Sequence, residues 1–150
     1  MGLFELTDPS HGRPGGPTVR ELIERGERRA DRLADQPLVQ ARMLDVIGRV
    51  YHRLGDVERA SVLLRQALAI RRVRLGEDHA DVATSLDHLA LLLHDKEDYD
   101  EADAFYREAL ESWRRLLGHG AFETAKALEA YAIFVLRVRT DAGRDRKSVV

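Results

Sequence analysis

The chain contains no cysteine, so a disulfide framework, a thiolate metal site and a cysteine nucleophile are all excluded. Proline is scarce, at four residues, and aromatic residues make up only 6%. That pairing argues against the short, turn-bounded strands of a β-sandwich. Long apolar runs are missing too: Leu89 to Leu93 and Tyr131 to Leu136 are the most extended, far short of a membrane span. Neither sign of charge dominates. Lys and Arg number 24 against 26 Asp and Glu, a formal charge of −2 that gives no general attraction to nucleic acid or anionic lipid. No basic-led signal peptide opens the sequence, and Met1-Gly2 lacks the Ser or Thr at position 6 that myristoylation needs. Catalytic signatures are absent as well. There is no phosphate loop, H-E-x-x-H pair or G-x-S-x-G elbow, and no kinase glycine-rich, His-Arg-Asp or Asp-Phe-Gly element. No catalytic residue, metal site or cofactor is expected in this chain. What is present is 44% hydrophobic and 33% charged residues over 150 positions, enough for one packed unit.

That unit is periodic. Displaced by 42 positions, Leu44 falls on Leu86, Asp45 on Asp87, Gly48 on Ala90, Ala60 on Ala102, Ala67-Leu68 on Ala109-Leu110 and Leu75-Gly76 on Leu117-Gly118. A second displacement carries Leu86 to Leu128, Asp87 to Glu129 and Ala90 to Ala132. Each copy reads as two helices. Leu44, Ile47, Gly48, Tyr51 and Leu54 lie on one helical face, Gly55-Asp56 breaks it, and Asp56 is suited to cap the next helix. Ala60, Leu63, Leu64, Ala67 and Leu68 then run to Gly76, a natural C-terminal glycine. The second copy breaks at Glu97-Asp98 and stops at Gly118. Gly48 with Ala60, and Ala90 with Ala102, mark where paired helices approach closely. A lone helix pair cannot bury both faces, so neighbours must stack into a solenoid.

Leu44, Ile47, Gly48, Tyr51, Ala60, Leu64 and Ala67, with their counterparts Leu86, Leu89, Ala90, Leu93, Ala102, Tyr106 and Ala109, resemble the signature of a tetratricopeptide repeat (TPR) array. Leu128, Tyr131, Ala132 and Val135 begin a third copy. The 42-residue period and the run Leu75 to Leu86 resemble the kinesin-light-chain-like form of that repeat, with Ala80 where that form has Pro and Asp87-His88 where it has paired Asn. The resemblance implies an all-α superhelix of about six helices: two full repeats, over about 38–76 and 80–118, and a partial third over 121–139. Residues 1–16, with Pro9, Gly12, Pro14, Gly15 and Gly16, read as an irregular linker. Thr18 to Glu21 is a capping-box pattern opening a capping helix over 17–36. Residues 140–150 read as a solvated, flexible tail. Tyr131, Ile133, Phe134 and Leu136 then need cover from elsewhere: either the array is cut short here or another copy of the chain supplies the cover as a partner.

The segment Leu3 to Pro9, the helix from Thr18, Asp35-Gln36-Pro37 and the Gln40 to Asp45 run also resemble the region joining the membrane helix to the TPR array in bacterial receptor-type serine/threonine kinases. This likeness covers roughly residues 3–117 and implies a sensor or scaffold region, extracytoplasmic in such a receptor; a free-standing adaptor would be cytoplasmic.

In this family the first helix of each repeat lines a concave groove that takes protein or peptide segments. The matching positions are Asp45, Arg49 and His52; Asp87, His88, Leu91 and His94; and Lys126, Glu129 and Ile133. Asp45, Asp87 and Glu129 form a carboxylate ladder, open either to cationic groups of a ligand or to local pairing with Arg42, Arg49 or Lys126. His52 and His94, 42 apart, raise a metal reading with Asp95, but no third ligand stands at convincing spacing. The clusters Arg71-Arg72-Arg74 and Arg114-Arg115 sit at helix ends, where they complement the dipole, and lack the interleaved aromatics of a nucleic-acid surface.

Overall fold

The computed structural model describes residues 16–147, with side chains described through 144. Six helices follow one another: α1 (Val19–Asp31), α2 (Pro37–Arg53), α3 (Val57–Leu75), α4 (Ala80–Asp95), α5 (Tyr99–Leu117) and α6 (Phe122–Lys147). No strand occurs among the described residues. The pairs α2–α3 and α4–α5 form two hairpins, α6 is the first helix of a third, and each helix packs on its sequence neighbours. The all-α stack expected from the period is therefore present.

The helix starts follow from local chemistry. Thr18 Oγ1 accepts from the Glu21 N–H at 3.2 Å while Glu21 Oε2 accepts from the Thr18 N–H at 2.8 Å, closing the capping box of α1. Pro37 opens α2 at a position that needs no N–H. The Asp56 carboxylate accepts from the Arg59 N–H at 3.2 Å at the start of α3. His79 caps α4 through Nδ1, which accepts from the Asp81 N–H at 3.0 Å.

Both hairpin turns use the same hydrogen-bond pattern. The Asp56 N–H donates to the Tyr51 carbonyl and that of Gly55 to His52; forty-two residues on, Asp98 donates to Leu93 and Glu97 to His94. This geometry needs a left-handed residue. Repeat one supplies Gly55 at φ 82°, whereas repeat two places Glu97 there at φ 64°. A side chain in that region costs about 1 kcal/mol relative to glycine. Glu97→Gly is therefore expected to raise stability by about 1 kcal/mol, read as a higher urea midpoint at unchanged slope. A lower midpoint would show that the Glu97 side chain supports the turn.

The core runs through the stack. Leu44, Tyr51, Leu64, Leu86, Leu89, Leu92 and Leu93 are almost wholly buried. Gly48 brings α2 onto α3: a Cβ there would lie 2.9 Å from Leu64 Cγ. Ala90 takes the same place opposite Tyr106, and both are buried.

Three expectations are corrected. The first helix ends at Asp31 rather than near 36, where the chain passes into tighter turns in which the Arg32 N–H donates to the Arg29 carbonyl and the Leu33 N–H to Ala30. The last helix does not stop near 139 but continues to Lys147, carried on by backbone hydrogen bonding through a stretch free of proline. In α6, Thr124, Ala127 and Phe134 are buried and Tyr131 is half-buried, against α5, while Leu128 is 48% exposed and Ala132 is exposed. Phe134 and Tyr131 thus find cover within the chain; Ile133 and Leu136 remain exposed. The physical reason is that positions 128 and 132 face a second helix of their own repeat, and no helix follows α6 among the described residues. The linker expected over 1–16 lies, but for Gly16, outside the described residues, as do 148–150.

Candidate functional site

The first helices of the repeats lie side by side, and two contacts tie α2 directly to α4. His88 Nδ1 lies 2.8 Å from Asp45 Oδ1, and His52 Nε2 lies 2.7 Å from Asp95 Oδ2. Between α4 and α6, above α5, opens a cleft of about 440 Å3. Thr84, Asp87, His88 and Leu91 form one wall, and Glu123, Lys126, Ala127 and Ala130 the other. Tyr106 and Trp113 of α5 floor it.

The carboxylate ladder has three different fates. Asp45 is 4% exposed and interacts with His88, with Arg49 Nε at 3.2 Å and with Arg71 Nη1 at 3.4 Å. Arg71, itself buried, also donates to Ser85 Oγ at 2.5 Å and to the Asp81 carbonyl at 3.3 Å. Asp45 is accordingly a packing group joining α2, α3 and α4, not an open groove carboxylate. Burial pushes its pKa up, but the His88 hydrogen bond and the charges of His88, Arg71 and Arg49 outweigh that and hold it below its ordinary value. Asp87 is half-buried and accepts from Trp113 Nε1 at 2.7 Å. Burial raises its pKa, against the opposing Trp113 bond and the charges of His88 and Lys126. Glu129 is exposed and makes no side-chain contact of this kind among the described residues.

The other expected groove positions divide likewise. Leu91 is exposed beside the cleft, Lys126 lies 5.7 Å over the Phe122 ring, Arg49 is exposed and Ile133 is exposed further along α6. His94 does not face the groove. It is 6% exposed, within 3.2 Å of the Tyr106 hydroxyl and ringed by Tyr99, Tyr106 and Phe134. Its burial, with the charge of Arg137 and against that of Asp95, lowers its pKa. Its partner in the metal reading, His52, is engaged with Asp95, and no group of three potential ligands comes together among the described residues. Burial and the charges of Asp95 and Asp87 push the Tyr106 hydroxyl to about 12.

Sequence reasoning missed Trp113 and Arg71, which lie on the second helices. One signal was available. The pairs Asp45–Arg71 and Asp87–Trp113 have the same separation of 26 residues, so a first-helix carboxylate recurs with a large hydrogen-bond donor on the second helix of the same hairpin.

The tetratricopeptide repeat family model matches residues 39–115 and 81–137, most of the chain and both hairpins with α6. The chain belongs to the tetratricopeptide repeat family. Among solved structures, the crystal structure of BtubC (BKLC) from P. vanneervenii is similar, with a TM-score of 0.68 and 24% identity. The match covers 79% of this chain and 47% of that one, so the TPR chain spans about half the length of the neighbour, and the likeness is one of fold. No curated protein sequence matches. TPR arrays generally mediate protein–protein interaction through stacked helical surfaces and are typically non-catalytic. No described helix of this TPR is long and apolar enough to cross a membrane.

Proposed function

We propose that this TPR is a non-catalytic module that binds a protein or peptide segment in the cleft between α4 and α6. The observation that carries the reading is the cleft itself: an apolar seat of Leu91, Tyr106, Ala127 and Ala130, with Asp87 on one wall and Lys126 on the other. Such a seat takes one apolar side chain of an extended or helical segment. Asp87 has an oxygen beyond the one Trp113 occupies for a backbone N–H or a cationic group, and Lys126 suits a carboxylate or carbonyl. On this reading His88 belongs to the wall of the seat, and Arg49, His52, Glu129 and Ile133 would extend the surface beyond it.

Trp113 is the only tryptophan and lines the cleft, so its emission reports occupancy. Dodecapeptides selected from a displayed library on the chain are expected to shift that emission on binding. Ala130→Trp, which fills the seat, should weaken them at least about tenfold, whereas Val62→Glu, at an exposed position on α3, should not. Equal binding by the Ala130→Trp variant would remove the cleft from the mechanism.

As the finer part of this reading, the module is of the kinesin-light-chain-like type and serves as the sensor or scaffold region of a bacterial receptor-type serine/threonine kinase. The 42-residue period and the likeness of residues 3–117 to that linker and first repeat support it. The sequence encoded ahead of Met1 tests it: a kinase domain and a single apolar span support the assignment, and a stop codon would overturn it in favour of a free-standing adaptor.

A further inference from the structure

The two ends of the stack are complementary. At one end no second helix follows α6 among the described residues: Leu128 is 48% and Leu136 63% exposed, whereas Leu44 and Leu86, the counterparts of Leu128, are each 1% exposed beneath α3 and α5. At the other end α1 holds the place of a second helix, and no first helix precedes it among the described residues. Gly26 of α1 packs on Ile47, where the period places Leu68 and Leu89, both in the same core cluster. Leu22, at the mouth of the apolar groove between α1 and α2, is 52% exposed at the position where Leu64 and Tyr106 are buried.

The charges match as well. Within a repeat, the first-helix carboxylate meets a large donor 26 positions on, as Asp45 meets Arg71 and Asp87 meets Trp113. Glu129 continues the carboxylate series on α6, and Arg29 stands at the Arg71 and Trp113 position on α1. Both are exposed. We propose that α1 of a second copy of this chain docks on α6, completing a hairpin between copies with Arg29 of one facing Glu129 of the other and Leu22 against Ala132 and Leu128. The contact joins unlike surfaces, so it adds copies head to tail and does not close as a two-fold dimer. Arg25 stands where Ala67 and Ala109 fit between the helices of the intact hairpins, which keeps α1 and α6 further apart and makes the junction weaker than an internal one.

Sedimentation velocity on the 150-residue chain from about 5 to about 500 μM tests this. The weight-average mass is expected to climb from the monomer's 17.0 kDa past that of a dimer without levelling. Arg29→Glu or Glu129→Arg alone should shift the rise to at least about tenfold higher concentration, by placing like charges in contact. The double variant R29E/E129R, or an equimolar mixture of the two single variants, should restore it. Thermal melts should coincide with the wild type for both single variants, since both residues are exposed. A monomer throughout the range overturns the proposal. So does a plateau at the dimer that Arg29→Glu leaves unchanged, which would mean α6 pairing with α6, and so does failure of the double variant to recover association.

Discussion

Asp45→Ala is expected to lose about 3–5 kcal/mol of stability, a large share of the ~5–15 kcal/mol that holds a domain folded. The loss arises from what is left behind. Arg71 is 7% exposed, and without Asp45 its guanidinium keeps only the neutral Ser85 hydroxyl and Asp81 carbonyl as acceptors. Replacing both partners, as Asp45→Leu with Arg71→Met, should recover most of the loss, because no buried charge then lacks a counter-charge. The pH dependence carries the same signature. A carboxylate whose folded pKa is depressed contributes fully above its unfolded value and loses that contribution as pH falls through the lowered folded value. Asp45→Asn should therefore flatten the stability change below the ordinary carboxylate range. Urea unfolding across pH checks both statements, and an Asp45→Ala cost within about 0.5 kcal/mol would return the residue to the surface class.

Truncating one repeat position in two copies should give opposite results. Leu86→Ala empties a site that is 1% exposed between α4 and α5 and is expected to cost about 2–5 kcal/mol. Leu128→Ala, one period later, removes a side chain that is 48% exposed and should cost no more than about 0.5 kcal/mol in dilute protein. Urea midpoints at low micromolar concentration decide between them. Equal losses would mean that the outer face of α6 is packed even in the monomer.

That pair of leucines shows what the amino-acid pattern conveys and where it stops. Apolar steps of three and four residues, the glycine breaks and the small residues at 48, 60, 90 and 102 all encode contacts within a hairpin, so helices α2 to α5 were legible almost to the residue. Periodicity transfers a position but not its neighbours. Leu128 has the identity of a core residue, but among the described residues no helix covers it, while Phe134, off the signature, is buried against α5. His94 was misplaced for a related reason: it shares a register with His52, but Tyr99, Tyr106 and Phe134 surround it and Asp95 takes His52. The ladder was legible as a series of carboxylates and illegible as chemistry, because Arg71 and Trp113 arrive from helices that a single-helix pattern does not connect to it.

The two histidine–carboxylate contacts between α2 and α4 also make the junctions along the stack mechanically unequal. One period further on, the Asp45–His88 and His52–Asp95 positions become Asp87 with Ala130 and His94 with Arg137, pairs that form no such clasp. The two clasps are expected to hold repeat one and α4 together more stiffly than α4 and α6, so that bending of the superhelix favours the cleft. On the proposed mode of binding, a segment entering there would change the width of its own seat at little elastic cost, so that side chains of different size would fit the same walls.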